Sequence, residues 1–199
     1  ACSGSHRHFA TYVLRELLWF SVHRAQSAQA HLRPKCRREG GLRVGRARGL
    51  GECRTSRWIS DSAQLAKIMS SIMCRAGETQ IEKVLNHASK ETKLLGVSAL
   101  VFVGDALEES PDIVLSAASA LGRLDVPAFM FQEGHDRLVE QTFQDITRLT
   151  HGAYCRFDPG AARQLAELLR AVAVFATGGL TALADQHNAS AVKLLSQLR

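Results

Sequence analysis

The first 57 residues contain no Asp, Asn, Ile or Met, although they carry twelve Lys and Arg residues against only three Glu. The rest of the chain carries thirteen Lys and Arg residues against sixteen Asp and Glu. The net charge of +6 therefore divides into +9 for the first part and −3 for the second. A basic chain would ordinarily suggest a nucleic-acid partner. Here the positive excess lies wholly in the first part, so this suggestion does not extend to the mildly acidic second part.

Cysteine pairs of the CxxC type are absent, and the five cysteines are spread along the whole chain. This distribution is typical of reduced cytosolic thiols rather than of a disulfide framework. No uninterrupted apolar run reaches the roughly 18 residues of a membrane span, because Arg15 and Glu16 break the apolar stretch at 9–22. No small-residue cleavage site follows this stretch. We therefore predict a cytoplasmic protein that does not use a membrane as its partner.

The first part of the chain also lacks the sustained apolar spacing of helices and strands. Residues 31–51 are rich in Gly, Arg, Pro and His, which predicts coil or poor order, and a weakly helical patch lies at 11–30. A frame-shifted or truncated gene of high GC content would produce such a composition, with the junction near Arg48. The division we predict has three parts: a basic, poorly ordered or non-homologous segment at 1–47, a partial α/β domain at 48–176, and a tail with a short helix at 177–199.

Apolar runs alternate with helical spacing in the second part. The predicted strands are 97–103, 126–131 and 154–157. The predicted helices are about 61–73, 79–95, 111–123, 136–150, 160–175 and 188–198. Strands separated by helices of this length favour parallel pairing with right-handed crossovers, and nearly continuous apolar strands are covered on both faces. The sequence thus predicts an α/β fold, although a sheet of this kind usually has more than three strands.

Two oxygen-bearing residues fall near the expected ligand edge of this sheet. Asp105 follows the end of the strand at 97–103. Thr79 is predicted to cap the helix at about 79–95, which precedes that strand. Ligands of open parallel sheets bind beyond the carboxyl ends of the strands. A carboxylate and a hydroxyl at that edge suit a hard cation such as Mg²⁺. The alternative is that Asp105 is only a turn or cap residue.

The stretches 51–91, 97–109, 126–136 and 149–179 resemble the von Willebrand factor A (VWA) family, in particular uncharacterised bacterial VWA-domain proteins. The resemblance covers about residues 48–199. It implies a Rossmann-like fold and a mostly non-catalytic binding module. Many members hold a divalent cation in a metal-ion-dependent adhesion site, built from a DxSxS motif, a Thr and an Asp. Thr79 in AGETQI matches the family's Thr, and Asp105 in VFVGDA matches its Asp.

The DxSxS motif is absent, since the first Asp of the chain is Asp61. We therefore expect an incomplete adhesion site in which Thr79 and Asp105 are the residual metal positions. Mg²⁺ is the cofactor of an intact family member, and we expect no cofactor to bind this chain tightly. The expected partner is an unidentified protein. Because the early strands of the family are missing, we expect marginal stability, self-association through an unpaired sheet edge, or replacement of those strands by residues 1–47.

Two alternative functions remain open. One is a Rossmann-like hydrolase or transferase that uses Asp105, although no GxSxG, HExxH, Walker or GxGxxG motif is present. The other is nucleic-acid binding through the basic segment 33–57, which lacks the interleaved aromatics of base-stacking proteins. Other residues have structural interpretations beside functional ones: Glu108 and Glu109 as the solvated start of a helix, Cys155 as a buried thiol, His135 and His151 as helix caps, and His6, His8, His23, His31, Cys36 and Cys53 as scattered residues rather than zinc ligands.

Overall fold

A computed structural model describes residues 18–23, 41–47, 53–55, 79–158 and 161–198. In the first three ranges, which are strands, only the backbone is described. The described residues form six strands and five helices. The strands are β1 Leu18–His23, β2 Gly41–Ala47, β3 Cys53–Thr55, β4 Ala99–Gly104, β5 Ala128–Glu133 and β6 Ala153–Phe157. The helices are α1 Ile81–Leu95, α2 Pro111–Gly122, α3 Arg137–Thr150, α4 Ala162–Ala184 and α5 Ala189–Leu195.

The six strands form one mixed sheet in the order β3-β2-β1-β4-β5-β6. The strands β4, β5 and β6 run parallel to one another, as their alternation with helices predicts. The strand β1 runs antiparallel to β4, and β2 and β3 continue the sheet in alternating directions. The α/β fold with a parallel sheet and covering helices is thus confirmed for the second part of the chain, and the sheet extends beyond it.

Two apolar cores cover the two faces of the parallel strands. Val101, Phe129 and Phe131 face the helices α4 and α5. Phe102 and Met130, which alternate with them along β4 and β5, face the helices α1, α2 and α3. Every residue of β4 and β5 is buried, which explains the apolar runs at 99–103 and 128–131, although β5 ends in the buried polar pair Gln132 and Glu133.

Helix boundaries follow local signals in most places. The carboxylate of Asp136 accepts hydrogen bonds from the backbone N–H groups of Leu138 and Val139 and so caps α3. Pro111 begins α2, as the sequence predicts. The break predicted at 177–179 is present, since Gly179 has non-helical dihedral angles (φ 72°, ψ −162°), and α4 consists of two helical pieces on either side of it. The second piece runs to Ala184, and its Leu183 is buried in the same apolar core as the first piece.

The predicted coil at 31–51 is wrong for 41–47, which form β2, and the weakly helical patch at 11–30 contains the strand β1. The reason is long-range pairing: β1 pairs residue by residue with β2 and also with β4, and local composition carries no sign of either partner. Two strands from the first part of the chain, β1 and β2, thus extend the sheet beyond β4, and that they replace strands of the VWA family stays an expectation. The helix predicted at 61–73 lies outside the described residues.

Among the described residues, α4 alone is long and apolar enough to cross a membrane by length and composition. Core helices of globular proteins meet the same criterion, and α4 buries Leu165, Leu168, Val172 and Leu183 in the core beneath the sheet. Only 28% of its apolar window is buried, however, so packing accounts for only part of its apolar composition.

Candidate functional site

The carboxyl ends of the parallel strands meet at one edge of the sheet, and each is followed or ended by an acidic residue. Asp105 follows β4, Glu133 ends β5 and Asp158 follows β6. Because β1 runs the other way, its first residue, Leu18, pairs with Val103 at this same edge. The edge is where an open parallel sheet binds its ligands, so it is the first candidate site.

The loop after β4 holds the beginning of α1 through two carboxylates. Glu108 accepts a hydrogen bond from the backbone N–H of Thr79 at 2.8 Å. Glu109 accepts one from the N–H of Ile81 through one oxygen and one from the N–H of Glu82, at 3.1 Å, through the other. The first N–H groups of a helix have no partner within the helix, and these carboxylates supply one. Glu108 and Glu109 therefore anchor the beginning of α1, and Glu108 is at the same time exposed to solvent just before α2.

Thr79 does not cap α1, because the N-cap position belongs to Gln80. The Thr79 side chain is only 1% exposed. Its hydroxyl oxygen has no hydrogen-bond partner among the described residues. Burying a hydroxyl without a hydrogen-bond partner costs folding free energy. The Thr79 segment that carries it is held to the loop of Asp105 by Glu108.

Asp105 is exposed at the end of β4, on the loop whose Glu108 contacts Thr79. The described parts of the chain contain no group of three His, Cys, Asp or Glu residues placed to hold a metal ion. The carboxylates of Glu108 and Glu109 are already bound to backbone N–H groups. Mg²⁺ needs near-octahedral oxygen coordination and dehydrates reluctantly, so one hydroxyl and one exposed carboxylate do not fit a tight site.

Burial raises the pKa of Glu109 above its usual value of 4.5, against the lowering effect of the two N–H groups. Since the folded state then holds its proton to higher pH than the unfolded state, the contribution of Glu109 to stability falls as pH rises above 4.5. We expect the unfolding free energy of the wild type, relative to Glu109→Gln, to decrease between acidic and neutral pH. Urea unfolding of both proteins across this range measures it, and parallel pH profiles would contradict the expectation.

A second polar cluster, which the sequence analysis missed, joins β5 to β6. The Tyr154 hydroxyl donates to Oε1 of Gln132 at 2.7 Å, and Nε2 of Gln132 donates to the carbonyl of Asp136 at 2.8 Å. Gln132 is fully buried, and burial raises the pKa of Tyr154 to about 12. The available signal was a glutamine directly after the apolar run at 128–131, since a buried glutamine needs hydrogen-bond partners.

The remaining sequence candidates take structural roles. Cys155 is fully buried in β6, and burial raises its thiol pKa to about 11, as expected of an unreactive thiol. His151 occupies the C-cap of α3 in a left-handed conformation. His135 is not a cap, because Asp136 takes that position, and its Nε2 lies 3.6 Å from the carboxylate of Asp158.

The side chains of the basic segment 33–57 and of the scattered His and Cys residues of the first part lie outside the described residues. No protein-family model, curated protein or solved structure matches the chain. The resemblance to the VWA family therefore stays an expectation that rests on the sequence motifs.

Proposed function

We propose that the chain is a non-catalytic, VWA-type interaction module, resident in the cytoplasm, that binds a partner protein at the carboxyl edge of β4. One observation carries this proposal: the hydrogen bond from the Thr79 N–H to Glu108 draws together the two segments that match the family's Thr and Asp positions. The exposed carboxylate of Asp105 is then accessible to a partner at this edge, while the unpartnered hydroxyl of Thr79 is buried in the segment that Glu108 holds.

The order of the strands supports a Rossmann-like architecture. The sequence 3-2-1-4-5-6 is the order of the doubly wound dinucleotide-binding fold, and this sheet has the same order. In that fold the strands are parallel, whereas here β1 runs antiparallel to β4. In VWA domains the DxSxS motif follows the first strand. Because β1 is reversed here, its end lies at the edge opposite to Asp105, which supports an incomplete metal site.

The residual metal positions give a direct prediction. We expect isothermal titration calorimetry of the full chain with Mg²⁺ or Mn²⁺ to show no binding tighter than about millimolar, because two oxygen donors do not offset the cost of dehydrating the ion. Asp105→Ala should then leave the titration unchanged. Sub-millimolar binding that Asp105→Ala abolishes would overturn the incomplete-site proposal, and Asp112→Ala, on the exposed first turn of α2, is the matched control.

The interaction role is tested by affinity capture with the full chain as bait. We expect the wild type to capture a partner protein in stoichiometric amounts. The Asp105→Lys variant should no longer capture this protein, and the Asp112→Lys variant should still do so. A hydrolase or transferase screen of the same samples separates this role from the enzymatic alternative. Turnover that depends on Asp105 would contradict the proposal of a non-catalytic module.

A further inference from the structure

The strand β6 is the last strand of the parallel half of the sheet, and a side chain occupies part of its free edge. The backbone N–H of Tyr154 donates to Oε1 of Gln197 at 2.9 Å. Nε2 of Gln197 donates in turn to the backbone carbonyl of Tyr154 at 2.9 Å. This is the pair of hydrogen bonds that a peptide group of a neighbouring strand would make. The amide of Gln197 therefore takes the place of one residue of a missing strand.

The edge continues past the position that Gln197 covers. Successive residues of a strand direct their backbone groups to opposite sides, so the groups of Arg156 point the same way as those of Tyr154. Arg156 is exposed, and its guanidinium lies 3.5 Å from the carboxylate of Glu140 on α3. An extended segment laid along β6 would thus find a second position for backbone pairing two residues beyond the first.

A groove with a volume of about 1120 Å³ runs beside this edge, between α3 and α5. Three cationic side chains and one carboxylate line it: Arg148, Arg156, Lys193 and Glu140. The carboxylates of Asp145 and Glu140 pair with Arg148 and Arg156. Lys193 has no carboxylate partner among the described residues, and its charge lowers the pKa of the neighbouring thiol of Cys155. The groove is therefore complementary to an acidic occupant.

We propose that this groove binds an extended, acidic segment of another protein by strand addition to β6, and that the amide of Gln197 is displaced when the segment binds. Backbone hydrogen bonds give affinity in this mode of recognition, and side-chain complementarity gives specificity. A second copy of this chain would bring the same cations towards one another, so the groove favours a partner of opposite charge. The proposal rests on the proposed interaction role, since it takes a protein segment as ligand, but it uses a surface separate from the Asp105 edge.

The test uses the full chain and a fluorescein-labelled peptide of about six residues, capped at both ends, in which Thr and Val alternate with Glu. We expect saturable binding by fluorescence anisotropy. Gln197→Ala removes the intramolecular competitor and should tighten binding about fivefold. Lys193→Glu should weaken it at least about tenfold. Gln144→Ala is the matched control, because this amide lines the same groove and contacts Glu140 rather than the β6 backbone.

Two modified peptides separate backbone pairing from simple charge attraction. Methylation of alternate peptide nitrogens removes the donors that strand addition needs and should abolish binding. A peptide with Lys in place of Glu should bind at least about tenfold more weakly. Asp105→Ala should leave the affinity unchanged, so a failure of the Asp105 edge and a failure of the β6 groove are distinguishable.

Three outcomes would overturn the proposal. The first is that the wild type and Gln197→Ala bind the peptide with equal affinity, or that the methylated peptide binds as tightly as the unmodified one. The second is the absence of saturable binding to any of the variants. The third is self-association of Gln197→Ala in sedimentation experiments at the expense of peptide binding, which would assign the groove to a second copy of the chain.

Discussion

Replacing Gly152 by alanine is expected to lower the free energy of unfolding by about 3 kcal/mol. A Cβ atom at this position would lie 1.9 Å from the carbonyl oxygen and 2.8 Å from the nitrogen of Ala128. Both are backbone atoms of β5, which is paired with β4 on one side and β6 on the other and cannot move away. The strand β6 would have to shift along with α3. Thermal unfolding should show a decrease in melting temperature of about 10 °C.

The control for Gly152 is Gly134→Ala. Gly134 has a φ of 86°, but a Cβ atom there would meet nothing within 4 Å. This variant therefore measures the cost of an unfavourable backbone conformation alone, about 1 kcal/mol. Equal losses of stability in the two variants would contradict the explanation by close backbone approach.

The role of Gly152 also shows what the sequence could not reveal about the end of α3. A His-Gly pair after a helix is usually read as a helix end in which glycine takes the left-handed conformation. Here His151 adopts that conformation, with a φ of 55°. Gly152 is instead required where the chain passes β5, and Thr150 binds the backbone N–H of Ala128 beside it. The sequence locates the end of the helix, but the division of roles depends on a strand more than twenty residues away.

The parallel half of the sheet could be predicted because its signal is local. β4 and β5 are buried on both faces, and this environment selects an uninterrupted apolar run that can be recognised without knowing its neighbours. The strands β1 and β2 carry no such signal. Their pairing with each other and with β4 involves residues far apart in the chain, so composition alone suggested coil or weak helix.

The candidate sites divide in the same way. Asp105 was found because it follows a recognisable strand, and position after a strand is a local property. The bonds from the Thr79 N–H to Glu108 and from the Ile81 N–H to Glu109 span 29 and 28 residues. The amide of Gln197 meets Tyr154 across 43 residues. Contacts at such separations follow from the packing of helices on the sheet, which spacing rules do not supply.

Replacing Phe143 by alanine is expected to cost about 3 to 5 kcal/mol of unfolding free energy. Phe143 is fully buried on α3, and its ring meets that of Phe102 edge to face with 5.6 Å between the ring centroids. Removing the ring leaves a cavity between α3 and the face of the sheet that also carries α1 and α2, and this densely packed core cannot collapse to fill it. Chemical denaturation of the purified variant measures the loss.

The matched control lies on the same helix. Leu138 is 53% exposed, so Leu138→Ala removes an apolar side chain from α3 without opening a cavity and should cost less than about 1 kcal/mol. A loss of similar size in both variants would contradict the cavity explanation, because alanine favours the helix at either position. A large loss confined to Phe143→Ala would show that the stability of the parallel half depends on this core. Both candidate sites depend on it in part, since α1 beside the β4 edge and α3 on one side of the β6 groove pack in this core.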